Sequence, residues 1–225
     1  GVTGYSATVT LNTNHNLAEL KAINDASSGT LTLHTGAKSV ALAGDTADIK
    51  AAVAGLTAYT GNVNIEDTAN DVILASDINT IDTSATGTIT IDNQIALKGN
   101  SDVVQTALAA VTNTGEAKIT LDDAHTLAEL KAINNATDGA ITLNTKTVPL
   151  TGSSSDVAAA LTGITGYSAT VTLNTDHNLS QLKTINNAAS GTLALNAGSK
   201  TVTLTGSSSD VAAALTGVTG YLSLI

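Results

Sequence analysis

The chain repeats itself, and that limits its fold more than any other feature. Thr151–Tyr167 reads TGSSSDVAAALTGITGY, and Thr205–Tyr221 is the same apart from Val218 in place of Ile164. Ser168–Gly191 reads SATVTLNTDHNLSQLKTINNAASG, close to SATVTLNTNHNLAELKAINDASSG at Ser6–Gly29. Aligned on these strings, repeats begin at Tyr5, Tyr59, Gly115 and Tyr167, a spacing of about 54 residues. The 225 residues then divide into the tail of a preceding repeat (1–4), four repeats (5–58, 59–114, 115–166 and 167–220) and the first strand of a following repeat (221–225). Gly1–Tyr5 and Gly217–Tyr221 both read GVTGY, with no signal-peptide pattern and no polar capping repeat. The expectation is a window on a longer array.

Inside a repeat the apolar spacing switches between two and about 3.6 residues. Val9 and Leu11 alternate with Thr8 and Thr10, a half-buried strand of the kind β-branched residues favour. Leu17, Leu20 and Ile23 then form a helical stripe behind Asn16, a good N-cap. Leu31 and Leu33 alternate with Thr30 and Thr32 in a second strand, and Val40 and Leu42 mark a third. The link between them is long in repeat one (His34–Ser39) and short in repeat two (Asp92–Gln94), which reads as hairpin-loop variation. A second helix closes the repeat. In repeat four it runs from the Ser207–Asp210 start through Val211 and Leu215 to a stop at Gly217 and Gly220.

The expected fold class is therefore an α/β, solenoid-like repeat of β-α-β-β-α units. Short helices pack on one face of a sheet whose opposite face is rich in Thr. The element order is that of the split βαβ, ferredoxin-like unit, with the closing strand supplied by the next repeat. Repeat two departs from the pattern with an acidic, Asn-rich insertion between Ile65 and Ile78.

Candidate chemistry is sparse. His15, His125 and His177 share one repeat position, where repeat two has Ala69. An imidazole ladder binding metal is weighed against a loop residue beside the helix cap, and the second reading is preferred, because no Cys or second His lies nearby. Calcium needs six to eight oxygen ligands. Its best candidates are Glu66, Asp67 and Asp71, followed by Asp122 with Asp123, but repeat one has neutral Asn12 and Asn14 in the equivalent loop. A solvated acidic loop is the default, and no cofactor is expected beyond possible calcium. The strings TVT, TLT and TIT suggest an ice-binding array, against the simpler reading that Thr suits an exposed strand face. Tyr5, Tyr59, Tyr167 and Tyr221 all mark repeat starts and read as packing anchors between units. No nucleophile elbow or phosphate-binding fingerprint is present, so no enzyme activity is expected.

Composition narrows the partners. With 9 basic and 19 acidic side chains, the net charge of −10 disfavours nucleic acid. No apolar run reaches the roughly 20 residues of a membrane span, and the absence of Cys removes disulfides and zinc–thiolate sites. The expected partners are adjacent repeats or copies of the chain itself.

The strings LAELKAIN (Leu17–Asn24 and Leu127–Asn134) and SSSDVAAALTG followed by TGY resemble tandem repeats of very long secreted bacterial surface proteins, cyanobacterial ones among them, of the adhesin-like β-strand-repeat type. The resemblance implies an extracellular or cell-surface location and a structural role as filament, stalk or surface layer. The alternative it implies is an adhesin or binding module for calcium, glycan or ice. Many such proteins carry calcium-binding nonapeptides, which are absent from this segment.

Overall fold

The protein's structure, a computed structural model, describes residues 3–114, 116–196 and 201–218. The repeat start at Gly115 and the strand expected over 221–225 lie outside the described residues.

The described residues form an α/β fold. Repeat one contributes β1 (Val9–Leu11), α1 (Leu17–Ala26), β2 (Leu31–Leu33), β3 (Leu42–Gly44) and α2 (Thr46–Val53). Repeat two adds β4 (Val63–Ile65), β5 (Val72–Leu74), α3 (Ala75–Ser84), β6 (Ile89–Ile91), β7 (Ala96–Gly99) and α4 (Ser101–Ala110). Repeat three has β8 (Lys118–Leu121), α5 (Leu127–Ala136), β9 (Ile141–Leu143), β10 (Leu150–Gly152) and α6 (Ser154–Leu161). Repeat four has β11 (Val171–Leu173), α7 (Leu179–Ala188), β12 (Leu193–Leu195) and α8 (Ser208–Leu215). The chain divides into two compact units, residues 1–99 with 106–118 and residues 100–105 with 119–225.

Strand direction differs from expectation. The paired strands run parallel: β1 with β2, β3 with β4 and β4 with β6, β5 with β7, β8 with β9, and β10 with β11 and β11 with β12. The split βαβ, ferredoxin-like arrangement and the hairpin between second and third strands are both overturned. A helix between successive ladder partners returns the chain to the side it started from, so the next strand runs in the same direction. The link His34–Ser39 is a 3₁₀ turn over Ala37–Ser39 that carries the chain from the β1–β2 ladder into a different one. The sharing of strands between repeats does hold. In the first unit β3 of repeat one pairs with β4 of repeat two, and β4 pairs with β6; in the second unit β10, β11 and β12 repeat the arrangement.

Alternation places apolar residues inward. Val63, Ile65, Ile89, Val171 and Leu173 are buried, while Thr10 and Thr32 are exposed and Thr90 and Thr172 half-buried. The helices meet this core with thin stripes, Leu20 in α1, Ile49 and Val53 in α2, and Val157 and Leu161 in α6, all fully buried. Such short helices draw their stability mainly from this packing. Reciprocal capping boxes add to it at Asn16–Glu19, Thr126–Glu129 and Asn178–Gln181. In repeat two the insertion is not only a loop. Part of it forms β5, which buries Ile73, leaves Val72 and Leu74 exposed and runs directly into α3 without a side-chain cap. In repeat four, Leu204–Gly206, aligned with β10, belongs to no strand among the described residues.

Candidate assembly site: the joints between repeats

The side chains that recur from repeat to repeat meet where one repeat packs on the next. Tyr59, the first residue of repeat two, is fully buried. Its hydroxyl donates to the Val40 carbonyl at 2.6 Å, and its ring lies 6.0 Å from that of His15. Tyr167 repeats this arrangement, donating to the Val148 carbonyl at 2.6 Å with its ring 5.8 Å from His125. His125 Nε2 is 3.0 Å from the Tyr167 oxygen. That oxygen's only proton points to Val148, so His125 must donate from Nε2. Burial pushes both tyrosine hydroxyls up to about 12, keeping them protonated as donors.

The three histidines thus lie in the loop beside the helix cap, as expected, and are buried there. The signal that would have paired them with the tyrosines is a joint absence: repeat two has Ala69 in place of His, and the repeat after it begins with Gly115 in place of Tyr.

Burial lowers the pKa of His125 and of His177, against smaller opposing effects of Asp123 and Glu129 on the first and Asp176 on the second. The His125 Nδ1 atom has no hydrogen-bond partner in the protein, so a second proton would be buried without an acceptor. A folded-state pKa below the unfolded value of 6.5 means that the folded protein binds fewer protons. Stability is therefore full above pH 6.5 and falls as pH drops below it, before most carboxylates titrate. Urea midpoints measured from pH 8 to about pH 5 check this, and a flat profile would contradict it.

A second recurring contact uses the Asn that ends the LKAIN string. Asn24 Nδ2 donates to the carbonyls of Ala51 (2.7 Å) and Ala54 (2.9 Å) at the C-terminus of α2. Asn134 does the same to Ala160 and Thr162 at the end of α6, and Asn186 to Ala213 and Thr216 at the end of α8, so each Asn ties together the two helices of its own repeat. Each amide satisfies end carbonyls that have no partner within their own helix. Repeat two has Asp82 here, which cannot donate when ionised. Helix pairs are also bridged by Lys50–Asp77, Lys131–Asp156 and Lys183–Asp210. The hydrogen bond from Lys183 is the main reason the Asp210 carboxyl sits below its usual range, and Lys131 acts likewise on Asp156.

The calcium candidates are engaged separately. Asp67 accepts the backbone N–H of Thr46 at 2.8 Å and the Thr46 hydroxyl, capping α2. Asp123 accepts the Ser101 N–H at 2.8 Å, and Thr175 Oγ1 takes that of Ser154 at 3.0 Å. Asp67, Asp123 and Thr175 occupy one repeat position, so this is a recurring cap on the previous repeat's second helix. Asp71 accepts from the Thr68 N–H at 3.2 Å, Glu66 from the Asn64 amide at 3.2 Å and Asp122 from the Asn144 amide at 2.9 Å. Among the described residues, no three of His, Cys, Asp and Glu are grouped as a metal ion would require.

The outward strand rows read Thr10–Thr32, then Ala43–Asn64–Thr90, then Thr151–Thr172–Ala194. They are in register but of mixed composition. Among the described residues, no helix is long and apolar enough to cross a membrane. Comparison with protein-family models, with characterised proteins and with solved structures returns no match.

Proposed function

We propose that this chain is a structural segment of a long extracellular bacterial surface protein, built as a solenoid-like array that forms a filament, stalk or surface layer and performs no catalysis. The observation that carries the reading is the reuse of one set of side chains at successive joints, His with the next repeat's Tyr and the Asp or Thr that caps the preceding repeat's second helix, beside an Asn that ties together the two helices of its own repeat. Recurring side chains spent on joining repeats suit a scaffold, whereas an active site needs different groups at fixed points. The surface-protein resemblance, the acidic surface and the absence of Cys support the extracellular placement.

In such an array stability grows with the number of joints. A chain in which residues 1–221 continue into residues 6–225 of a second copy is expected to unfold at a higher urea concentration than the single chain. Calorimetric titration of the single chain with calcium or simple sugars is expected to show no heat. An unchanged midpoint would contradict the array, and saturable heat would favour the binding-module alternative.

A further inference from the structure

Two joints built from the same residue types treat a proton differently. Between repeats three and four, His125 Nε2 lies 3.0 Å from the Tyr167 oxygen, whose own proton goes to the Val148 carbonyl. His125 is 2% exposed, and its Nδ1 has no hydrogen-bond partner in the protein. A neutral ring with its proton on Nε2 satisfies this site. A second proton, on Nδ1, would be buried with nothing to accept it.

Between repeats one and two, His15 Nε2 lies 3.0 Å from the Ala37 carbonyl oxygen, and its Nδ1 lies 3.3 Å from that of Asn16. Both partners are acceptors, so a neutral ring makes only one of these bonds and an imidazolium makes both. The difference comes from the link between the second and third strands. Two more positions separate Leu33 from Leu42 than Leu143 from Leu150. The longer link forms the 3₁₀ turn Ala37–Ser39, which brings a carbonyl to His15, whereas His125 meets the tyrosine hydroxyl.

We infer that the joint between repeats three and four is an acid-released fastening: a second proton on His125 opens it, while the joint between repeats one and two stays closed. The inference rests on the array reading above, in which the joints hold the array together, and adds a regulation of one of them. Opening lets water reach Nδ1, so the protonated ring favours the open joint. The titratable groups facing His125 are Asp123 in its own loop, Glu129 on α5 and Tyr167 from repeat four. The two carboxylates favour a charged ring, but Asp123 already accepts the Ser101 N–H (2.8 Å) and Glu129 the Thr126 N–H (2.8 Å), and burial outweighs both. On the link that carries Val148, Lys146 gives its ammonium to the Thr165 carbonyl at 2.9 Å. Around His15 the position of Asp123 is held by neutral Thr13. The titratable groups of the elements packed there are Glu19 of α1, which accepts the Asn16 N–H at 2.9 Å, Lys38 of the 3₁₀ turn, His34, which accepts the Gly36 N–H at 3.1 Å, and Tyr59.

Hydrogen exchange reads the two joints side by side, because matching amides cross each. Between repeats three and four, Leu150, Ala169 and Asn174 donate to the carbonyls of Thr170, Lys146 and Gly152. Between repeats one and two, Leu42, Gly61 and Glu66 donate to those of Asn62, Lys38 and Gly44. From about pH 7.5 to about pH 5.5, protection corrected for the intrinsic rate is expected to fall about three- to tenfold at the first set and to hold at the second. His125→Gln keeps a neutral donor for the Tyr167 oxygen, and in it the first set is expected to hold as well. Nitrogen-15 NMR of the parent chain at about pH 7.5 is expected to find the His125 proton on Nε2, a reading that needs no variant. Equal responses at the two joints, a fall that persists in His125→Gln, or a proton on Nδ1 would each overturn the inference. The array reading would survive any of these, because the urea midpoint of the doubled chain tests it at a single pH.

Discussion

Tyr167→Ala is expected to destabilise the protein by about 3–5 kcal/mol, the range for emptying a large buried aromatic site. The ring is fully buried beside His125, and its hydroxyl satisfies the Val148 carbonyl. Tyr167→Phe keeps the ring but orphans both polar partners, and is expected to cost about 1–3 kcal/mol. Tyr5 is the control. It holds the same repeat position but is 50% exposed, so Tyr5→Ala is expected to change stability by no more than about 0.5 kcal/mol in dilute solution. Urea denaturation of the three variants measures the comparison. Equal losses at Tyr5 and Tyr167 would mean that the tyrosines act within their own repeats and do not join one repeat to the next.

Much of this architecture is legible from local pattern. Alternation marks β1 and β2, the stripe behind Asn16 marks α1, and Ser207 caps α8 by accepting from the Asp210 N–H at 3.1 Å. The dependence of each repeat on its neighbour follows from the odd strand left at the end of the unit, and β3 does pair with β4 of the next repeat. Strand direction is not legible in the same way. A run such as Leu31–Leu33 has the same alternation read up or down, and the length of the link His34–Ser39 suits a hairpin as well as a passage to another ladder.

The site was half legible. Tyr as a packing anchor follows from its place at repeat starts, but its partner His is far away in sequence, and only the joint loss at Ala69 and Gly115 links them. Asn24 reads as an ordinary polar helix position until α2 is packed against it and the carbonyl of Ala51 falls within reach. Asp67 reads as part of a solvated acidic loop, with calcium as the candidate weighed against it, for the converse reason: the N–H it caps belongs to a helix in the previous repeat.

Gly87→Ala is expected to be a damaging small change, costing on the order of 3 kcal/mol. The reason is space. A Cβ at this position would lie 2.2 Å from the Gly61 carbonyl oxygen, 2.5 Å from the Gly61 carbonyl carbon and 2.9 Å from the Asn62 nitrogen, all backbone atoms of the segment leading into β4. Backbone held in a ladder cannot rotate away as a side chain would, so the methyl group must push β6 from β4. Gly29 and Gly191 hold the same repeat position and face carbonyl oxygens at 2.2 and 2.3 Å, so the close approach belongs to the repeat and not to one site. Gly163 provides the contrast, because a Cβ there meets nothing within 4 Å, and only its left-handed φ of 74° opposes a side chain. Gly163→Ala is therefore expected to cost about 1–2 kcal/mol, the ordinary penalty of that conformation. Hydrogen exchange separates the two mechanisms. Gly87→Ala should speed exchange of the ladder amides of Val63 and Asp92, which bond to Thr88 and Ile65, while Gly163→Ala should leave them protected. If Gly87→Ala proves no costlier than Gly163→Ala and leaves those amides protected, the strands are not packed as tightly as their spacing requires.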